Sequence, residues 1–248
     1  MQCDMGCEAE QIEQMIRHAT WRSGSTGVVL GVSGGVDSAL AAALCTRALG
    51  NNRVLGLLLP SRVSRGEDLQ DAEDLCQALG IEYRILPIEP FLDPFRNLPE
   101  YQEDRYLEGN LMARIRMVML YYRANRDRRL VCGTSNRSEY MLGYCTKYGD
   151  NAADIQPILH LYKKEVVSLA RYVGIPPSIL SKPPSAGLWP GQSDEGELGL
   201  SYATIDAALQ ALEQNHWVAA SPEEERVLAL VKKSQHKRSP PFNLLASP

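Results

Sequence analysis

The sequence predicts an α/β fold, a mostly parallel sheet with helices on both faces. Three observations carry that expectation. Short apolar runs recur without clean alternation, as strands covered on both faces do. Each run is followed by an amphipathic stretch of about a dozen residues, the rhythm of βαβ units. A glycine-rich turn sits at the first strand-to-helix junction, where such sheets bind ligands.

The elements follow in order. Ile12, Met15, Ile16 and Ala19 recur at helical spacing and predict an opening helix over 8–20. After the turn SGSTG, VVLGV at 28–32 reads as a buried strand and 38–50 as a helix ended by glycine. The cycle repeats with a strand at 53–60, a polar loop at 61–67, a helix at 68–80 and a strand at 81–88. A proline-rich crossover, PFLDPFRNLPE, leads to a long helix from Tyr106 to Ala124, and RLVCGTS at 129–135 is the fourth strand. On the long helix, Leu111, Ile115, Val118 and Tyr122 form a stripe expected to pack inward, and the arginines 116, 123, 126, 128 and 129 a solvated face. The α/β part runs to about residue 173. Beyond it, 181–200 holds prolines and glycines without periodicity, and helices are expected at Tyr202–Glu213 and Pro222–Lys233, the latter capped by Ser221.

Composition narrows the class. The 248 residues are 44% hydrophobic and 23% charged, enough for a core in one large domain spanning 1–248. No apolar run approaches the ~20 residues of a membrane span, and the N-terminus lacks a basic start and an apolar stretch, so a soluble cytoplasmic protein is expected. A net charge of −4 argues against a nucleic-acid-coating protein. Of the six cysteines, Cys45, Cys76 and Cys132 read as small buried hydrophobes, and neither a disulfide framework nor a zinc site is expected.

The sharpest local signal is GVSGGVDS at 31–38. Gly34 and Gly35 let backbone N–H groups converge on an anion, Ser33 and Ser38 add hydroxyl donors, and the helix start adds a favourable field. A carboxylate beside a phosphate cradle is repulsive without an intervening cation, so Asp37 reads as a Mg²⁺ ligand; the alternative is an ordinary helix cap. A Walker A lysine and the third glycine of a dinucleotide fingerprint are both absent.

SGGVDS resembles the pyrophosphate-binding signature of the N-type ATP pyrophosphatases. GTSNRSEYMLGYCTKYGDNAADIQP at 133–157, NLMARIRMVMLYY at 110–122, LYKKEVVSLARYVGIP at 161–176 and PPSAGLWPGQSDEGELGLSY at 183–202 resemble the ammonia-dependent NAD synthetase family, from about residue 10 to residue 240. The resemblance implies an adenine nucleotide alpha-hydrolase-like, Rossmann-like fold and a homodimer. It further implies a ligase that converts deamido-NAD, ATP and ammonia to NAD, AMP and pyrophosphate through an acyl adenylate. With the phosphate loop starting near residue 31, no room is expected for the amidase domain of glutamine-dependent relatives.

By the same resemblance, Glu139 joins Asp37 in holding Mg²⁺, and Lys163 meets ATP phosphates as a catalytic residue. Gly31, Ser33, Gly34, Gly35, Val36, Asp37, Ser38, Thr134, Lys163 and Ser185 bind ATP. Asn110, Arg114, Lys147, Asp150, Asp154, His236 and Lys237 bind deamido-NAD, and 182–199 is a mobile loop closing over the site, followed by a helical C-terminal part at 202–238. Competing readings are an RNA-modifying or GMP-forming pyrophosphatase and a non-catalytic nucleotide sensor. Paired catalytic cysteines are missing for thiolation, and a sensor has less need of Asp37, Glu139 and Lys163 together.

Overall fold

Apolar β-branched and leucine runs build a four-stranded, wholly parallel sheet of order β3-β2-β1-β4. The computed structural model describes residues 4–241. The strands are β1 (Val28–Gly31), β2 (Val54–Leu58), β3 (Glu82–Ile85) and β4 (Leu130–Val131). In register, Val28 faces Val54 and Leu130, and Leu55 faces Glu82. An isolated parallel bridge, Cys132 to Ile155, extends the sheet past β4.

Successive strand residues supply opposite faces, as the pleat requires. Val28, Leu30, Val54 and Leu58 enter one core, with α1 (Met5–Ser23), α2 (Val36–Leu49), α3 (Gly66–Leu79), α7 (Lys163–Tyr172) and α8 (Pro177–Leu180). Val29, Leu55, Leu57 and Val131 enter the other, with α4 (Glu89–Arg96) and α5 (Arg105–Asp127). A third cluster unites α6 (Arg137–Leu142), α10 (Tyr202–Gln214) and α11 (Pro222–Lys233). The helix α9 (Asp194–Leu198) interrupts the loop before α10, and a 3-10 turn over Gln235–Lys237 follows α11. No helix among the described residues is long and apolar enough to cross a membrane.

Several expectations need correction. The proline-rich crossover contains α4: Pro90 lies in its first turn, where the missing N–H costs nothing, and the helix is short enough to tolerate Pro94. The expected strand at 81–88 shortens to Glu82–Ile85, and the one at 129–135 to Leu130–Val131. On α5 the inward residues are Met112, Ala113, Ile115 and Ala124, whereas Val118 and Tyr122 are 59% and 71% exposed. Arg116 and Arg129 are not on a solvated face: their guanidiniums donate to the Leu59 and Val28 carbonyls. Cys45, Cys76 and Cys132 are buried free thiols, but Cys7 is disulfide-bonded.

Candidate active site

The site lies at the C-terminal edge of the sheet, where β1 hands the chain to α2. Ser33 and Ser38 shape the turn: the Ser38 hydroxyl accepts the Ser33 N–H at 3.2 Å and donates to the Gly35 carbonyl at 3.0 Å. The Gly35 N–H in turn donates to the Ser33 hydroxyl at 3.3 Å. Gly34 holds a φ of 80°, and a Cβ there would overlap the Asp68 carbonyl, so α3 can press against the loop only because the side chain is absent.

Asp37, in the first turn of α2, meets two further elements. Asn136 is the cap of α6: its carbonyl oxygen accepts the Glu139 N–H at 3.0 Å while its amide donates to Asp37 at 2.8 Å. One buried side chain therefore starts the helix that carries Glu139 and fixes the carboxylate opposite it. Lys163 opens α7. That helix start is held by Ser138, whose hydroxyl accepts the Lys163 N–H at 3.0 Å, and by Asp206, which accepts the Lys164 N–H at 3.0 Å. Glu165 reaches back to the Tyr162 N–H at 2.9 Å. The Lys163 ammonium then bridges the two carboxylates, 2.5 Å from Asp37 and 3.0 Å from Glu139.

The electrostatics of this cluster are unbalanced. Burial pushes the Glu139 carboxyl up to about 7, with Lys163 opposing and Asp37 and Asp194 reinforcing the rise. Burial also disfavours the Lys163 charge, yet the two carboxylates hold its pKa above the ordinary lysine range. Asp194 is raised by burial and is held by the Tyr202 hydroxyl at 3.1 Å and the Ala186 N–H at 3.0 Å. Two carboxylates share one ammonium and a third, Asp194, lies close enough to act on the same groups, so the cluster favours a further positive charge.

Around it opens a cleft of about 1080 Å³. Gly31, Ser33, Gly34, Gly35, Val36, Asp37, Ser38, Thr134, Glu139, Lys163 and Ser185 all line it, as do Asn110, Asp150 and Lys237. At the end nearest α5, Asn110 accepts the Thr146 hydroxyl at 2.9 Å, and Asp150 accepts the Thr146 N–H at 2.7 Å. Lys237 caps the Gly143 and Cys145 carbonyls at 2.8 and 2.6 Å. Arg114, Lys147 and His236 sit together outside the lining. Arg114 donates to the Lys147 carbonyl at 3.3 Å, and Lys147 to the His236 carbonyl at 2.5 Å. Asp154 is not brought to the cleft: it accepts the Val131 N–H at 2.7 Å and braces the sheet edge.

The segment 182–199 covers one side of the cleft. Lys182 anchors its base, donating to Asp68 at 2.7 Å and to the Gly34 carbonyl at 3.3 Å and pairing with Asp71 at 2.5 Å. Leu188 and Trp189 lie against Gly109 of α5. Ser185 donates to the Gln192 carbonyl at 2.8 Å, a tie within the loop. Sequence reasoning missed Asn136, Tyr202 and Arg116. Asn136 had a readable signal, an Asn placed three residues before the glutamate whose N–H it caps; a buried tyrosine or arginine facing a cleft has none.

Among the described residues no group of three or more His, Cys, Asp or Glu side chains is arranged to hold a metal. Asp37 and Glu139 form a two-carboxylate set. That fits Mg²⁺, which takes one or two carboxylates and completes its shell with phosphate oxygens and water.

Comparisons with known proteins place the chain in a family. The NAD synthase family pattern matches residues 8–241. An NH(3)-dependent NAD(+) synthetase of Methanoregula boonei is 62% identical over 245 residues, 99% of each chain. The solved structure of NMN synthetase from Francisella tularensis has a TM-score of 0.89 at 36% identity, covering 97% of this chain and 98% of that one. NH3-dependent NAD synthetase from Campylobacter jejuni has a TM-score of 0.83 at 37% identity, covering 97% and 99%. With a glycine-rich loop, a carboxylate pair and a bridging lysine in one cleft, and with matches along nearly its whole length, the chain belongs to the NAD synthase family.

Proposed function

We propose that the cleft performs ammonia-dependent NAD synthesis in two steps on one pair of bound nucleotides. In the first, a carboxylate oxygen of deamido-NAD attacks the α-phosphorus of ATP, and the bond to the bridging oxygen of pyrophosphate breaks. In the second, ammonia attacks the carbonyl of the resulting acyl adenylate, AMP leaves, and a proton departs from the new amide nitrogen. Activation is needed because the carboxylate alone offers only oxide as a leaving group. The observation that carries the reading is the convergence of Asp37, Glu139 and Lys163 from three separate helix starts beside the glycine loop.

The loop N–H groups and the Ser33 and Ser38 hydroxyls receive phosphoryl oxygens of ATP, with Thr134 and Ser185 on the flanks of the same cleft. Asp37 and Glu139 would hold Mg²⁺, which neutralises the departing pyrophosphate. Lys163 is positioned to exchange a carboxylate for a phosphoryl oxygen and so to add its charge to the leaving group. Asn110, Asp150 and Lys237 contact deamido-NAD within the cleft, and Arg114, Lys147 and His236 contact its outer part. The loop 182–199 closes on the filled site and keeps water from the adenylate. The acidic excess around Asp194 and Tyr202 draws ammonium toward the site. The reaction belongs in the cytoplasm, where its ATP is available. The exposed Val118 and Tyr122 on α5 are the apolar face through which two copies pair.

Isotope transfer tests the adenylate. Deamido-NAD labelled with ¹⁸O in its carboxylate is expected to deliver one label to AMP and none to pyrophosphate. Label in pyrophosphate, or none in AMP, contradicts the first step. The similarity to an NMN synthetase structure supports a second reading, in which the acceptor is the mononucleotide, nicotinic acid mononucleotide. The relative rates on the two acceptors separate the readings.

A further inference from the structure

Arg116 is a cation of the cleft that the scheme above does not use and that has no ion pair among the described residues. It projects from α5, lines the cavity, and is partly buried. Among the described residues its guanidinium makes one hydrogen bond, from Nε to the Leu59 carbonyl at 3.0 Å, just past the end of β2. Three other cations of the cleft are already neutralised: Arg65 by Asp68, Lys163 by Asp37 and Glu139, and Lys182 by Asp68 and Asp71. The carboxylates that support the Arg116 charge are Asp150 and Glu89, and both are hydrogen-bonded elsewhere. Asp150 accepts the Thr146 N–H, and Glu89 accepts from the Arg62 N–H and the Arg96 guanidinium.

A guanidinium offers five N–H donors in a planar fork, and a single bond from Nε leaves the rest of the fork open to the cleft. Burial draws its pKa down to about 10, which still leaves it charged at neutral pH. A carbonyl on one edge orients the group and leaves its other N–H groups to a partner from outside the chain. A fork of this shape is matched by the paired oxygens of a phosphoryl group.

We propose that Arg116 is a substrate-binding residue whose remaining N–H groups take a phosphoryl oxygen of a nucleotide held in the cleft. The inference rests on the two-nucleotide reading above and adds to it the group that compensates this charge. Both substrates carry phosphoryl groups, so the test must distinguish ATP from deamido-NAD as the source.

Wild type, Arg116→Met and Arg116→Lys are compared by calorimetric titration with Mg-ATP alone and with deamido-NAD alone, and by thermal unfolding without ligand. The expected result is that Arg116→Met weakens one nucleotide roughly 10- to 100-fold, the range for a hydrogen bond to a charged group. Arg116→Lys, which keeps a point charge without the fork, recovers part of that loss. The ligand-free Met variant melts close to wild type, because no ion pair is broken when the side chain is replaced. Whichever nucleotide weakens is the one that supplies the phosphoryl oxygen. Unchanged affinity for both nucleotides overturns the proposal. So does a Met variant that loses ligand-free stability and weakens both nucleotides alike, which marks a structural arginine. Wild-type protein that binds nucleotide but makes no NAD would instead contradict the reaction scheme, independently of how the variants bind.

Discussion

At the scale of single residues, the site is a balance of charges around Lys163. The ammonium is shared by Asp37 and Glu139, and Asn136 holds Asp37 from the other side. Asp37→Asn keeps the hydrogen-bonding shape and removes the charge. It is expected to lower turnover by roughly 100-fold or more while the protein still folds, since an interaction with developing leaving-group charge is lost. Steady-state kinetics beside circular dichroism check this, and turnover near wild type would remove Asp37 from the machinery. Gly34→Ala is expected to weaken ATP binding and to cost about 1–3 kcal/mol of stability, because the added carbon meets the Asp68 carbonyl at a φ of 80°. Asp37, Glu139 and Lys163 were legible in the sequence since each sits inside a contiguous motif. Asn136 and Arg116 were not. An asparagine that caps one helix and grips another's aspartate depends on a contact between residues 136 and 37, and a lone arginine among several on one helix looks like surface until its neighbours are known.

At the scale of elements, periodicity located α1, α2, α3, α5, α10 and α11 and misjudged which side of α5 is buried. The α5 sequence carries apolar side chains on more than one side, so the spacing that holds Ile115 inward extends equally to Val118 and Tyr122, which are exposed. The helix α4 was hidden because its two prolines read as a crossover. Leu92 packs into the core, and a charge network braces the helix: Glu89 accepts from the Arg62 N–H at 2.6 Å and from Arg96 at 2.8 Å, and Arg96 also bonds Glu108 of α5. Burial works to raise the Glu89 carboxyl, but the Arg62 N–H and the Arg96 charge prevail and hold it below the ordinary carboxylate range. A depressed carboxyl contributes stability above its unfolded pKa and loses it as pH falls through the folded value. Glu89→Gln is therefore expected to cost about 1–2 kcal/mol at pH 7. The difference from wild type should shrink as the medium is acidified below the carboxylate range. Denaturant titrations at neutral and acid pH test this, and a penalty independent of pH would assign the loss to shape rather than charge.

At the scale of the whole molecule, the parallel sheet and its two covering layers were legible because both faces of the strands are apolar, as Val28, Val29 and Leu30 show by entering alternate cores. The proposed pairing of two copies is expected from the family resemblance alone, and the exposed stripe on α5 proposed to carry it could not be read until the buried one was known. Val118→Glu with Tyr122→Glu is expected to shift the mass in solution from two chains to one, read by light scattering after gel filtration; an unchanged mass would move the interface elsewhere. The central claim concerns the cleft as a two-nucleotide ligase. Its most direct test is one reaction of purified protein with ATP, Mg²⁺, deamido-NAD and ammonium, followed for NAD, AMP and pyrophosphate, with nicotinic acid mononucleotide as the competing acceptor. The expected result is NAD formed one-to-one with AMP and pyrophosphate, abolished without ammonium, and faster than any product from the mononucleotide. ATP cleavage without NAD, or a preference for the mononucleotide, would contradict the account.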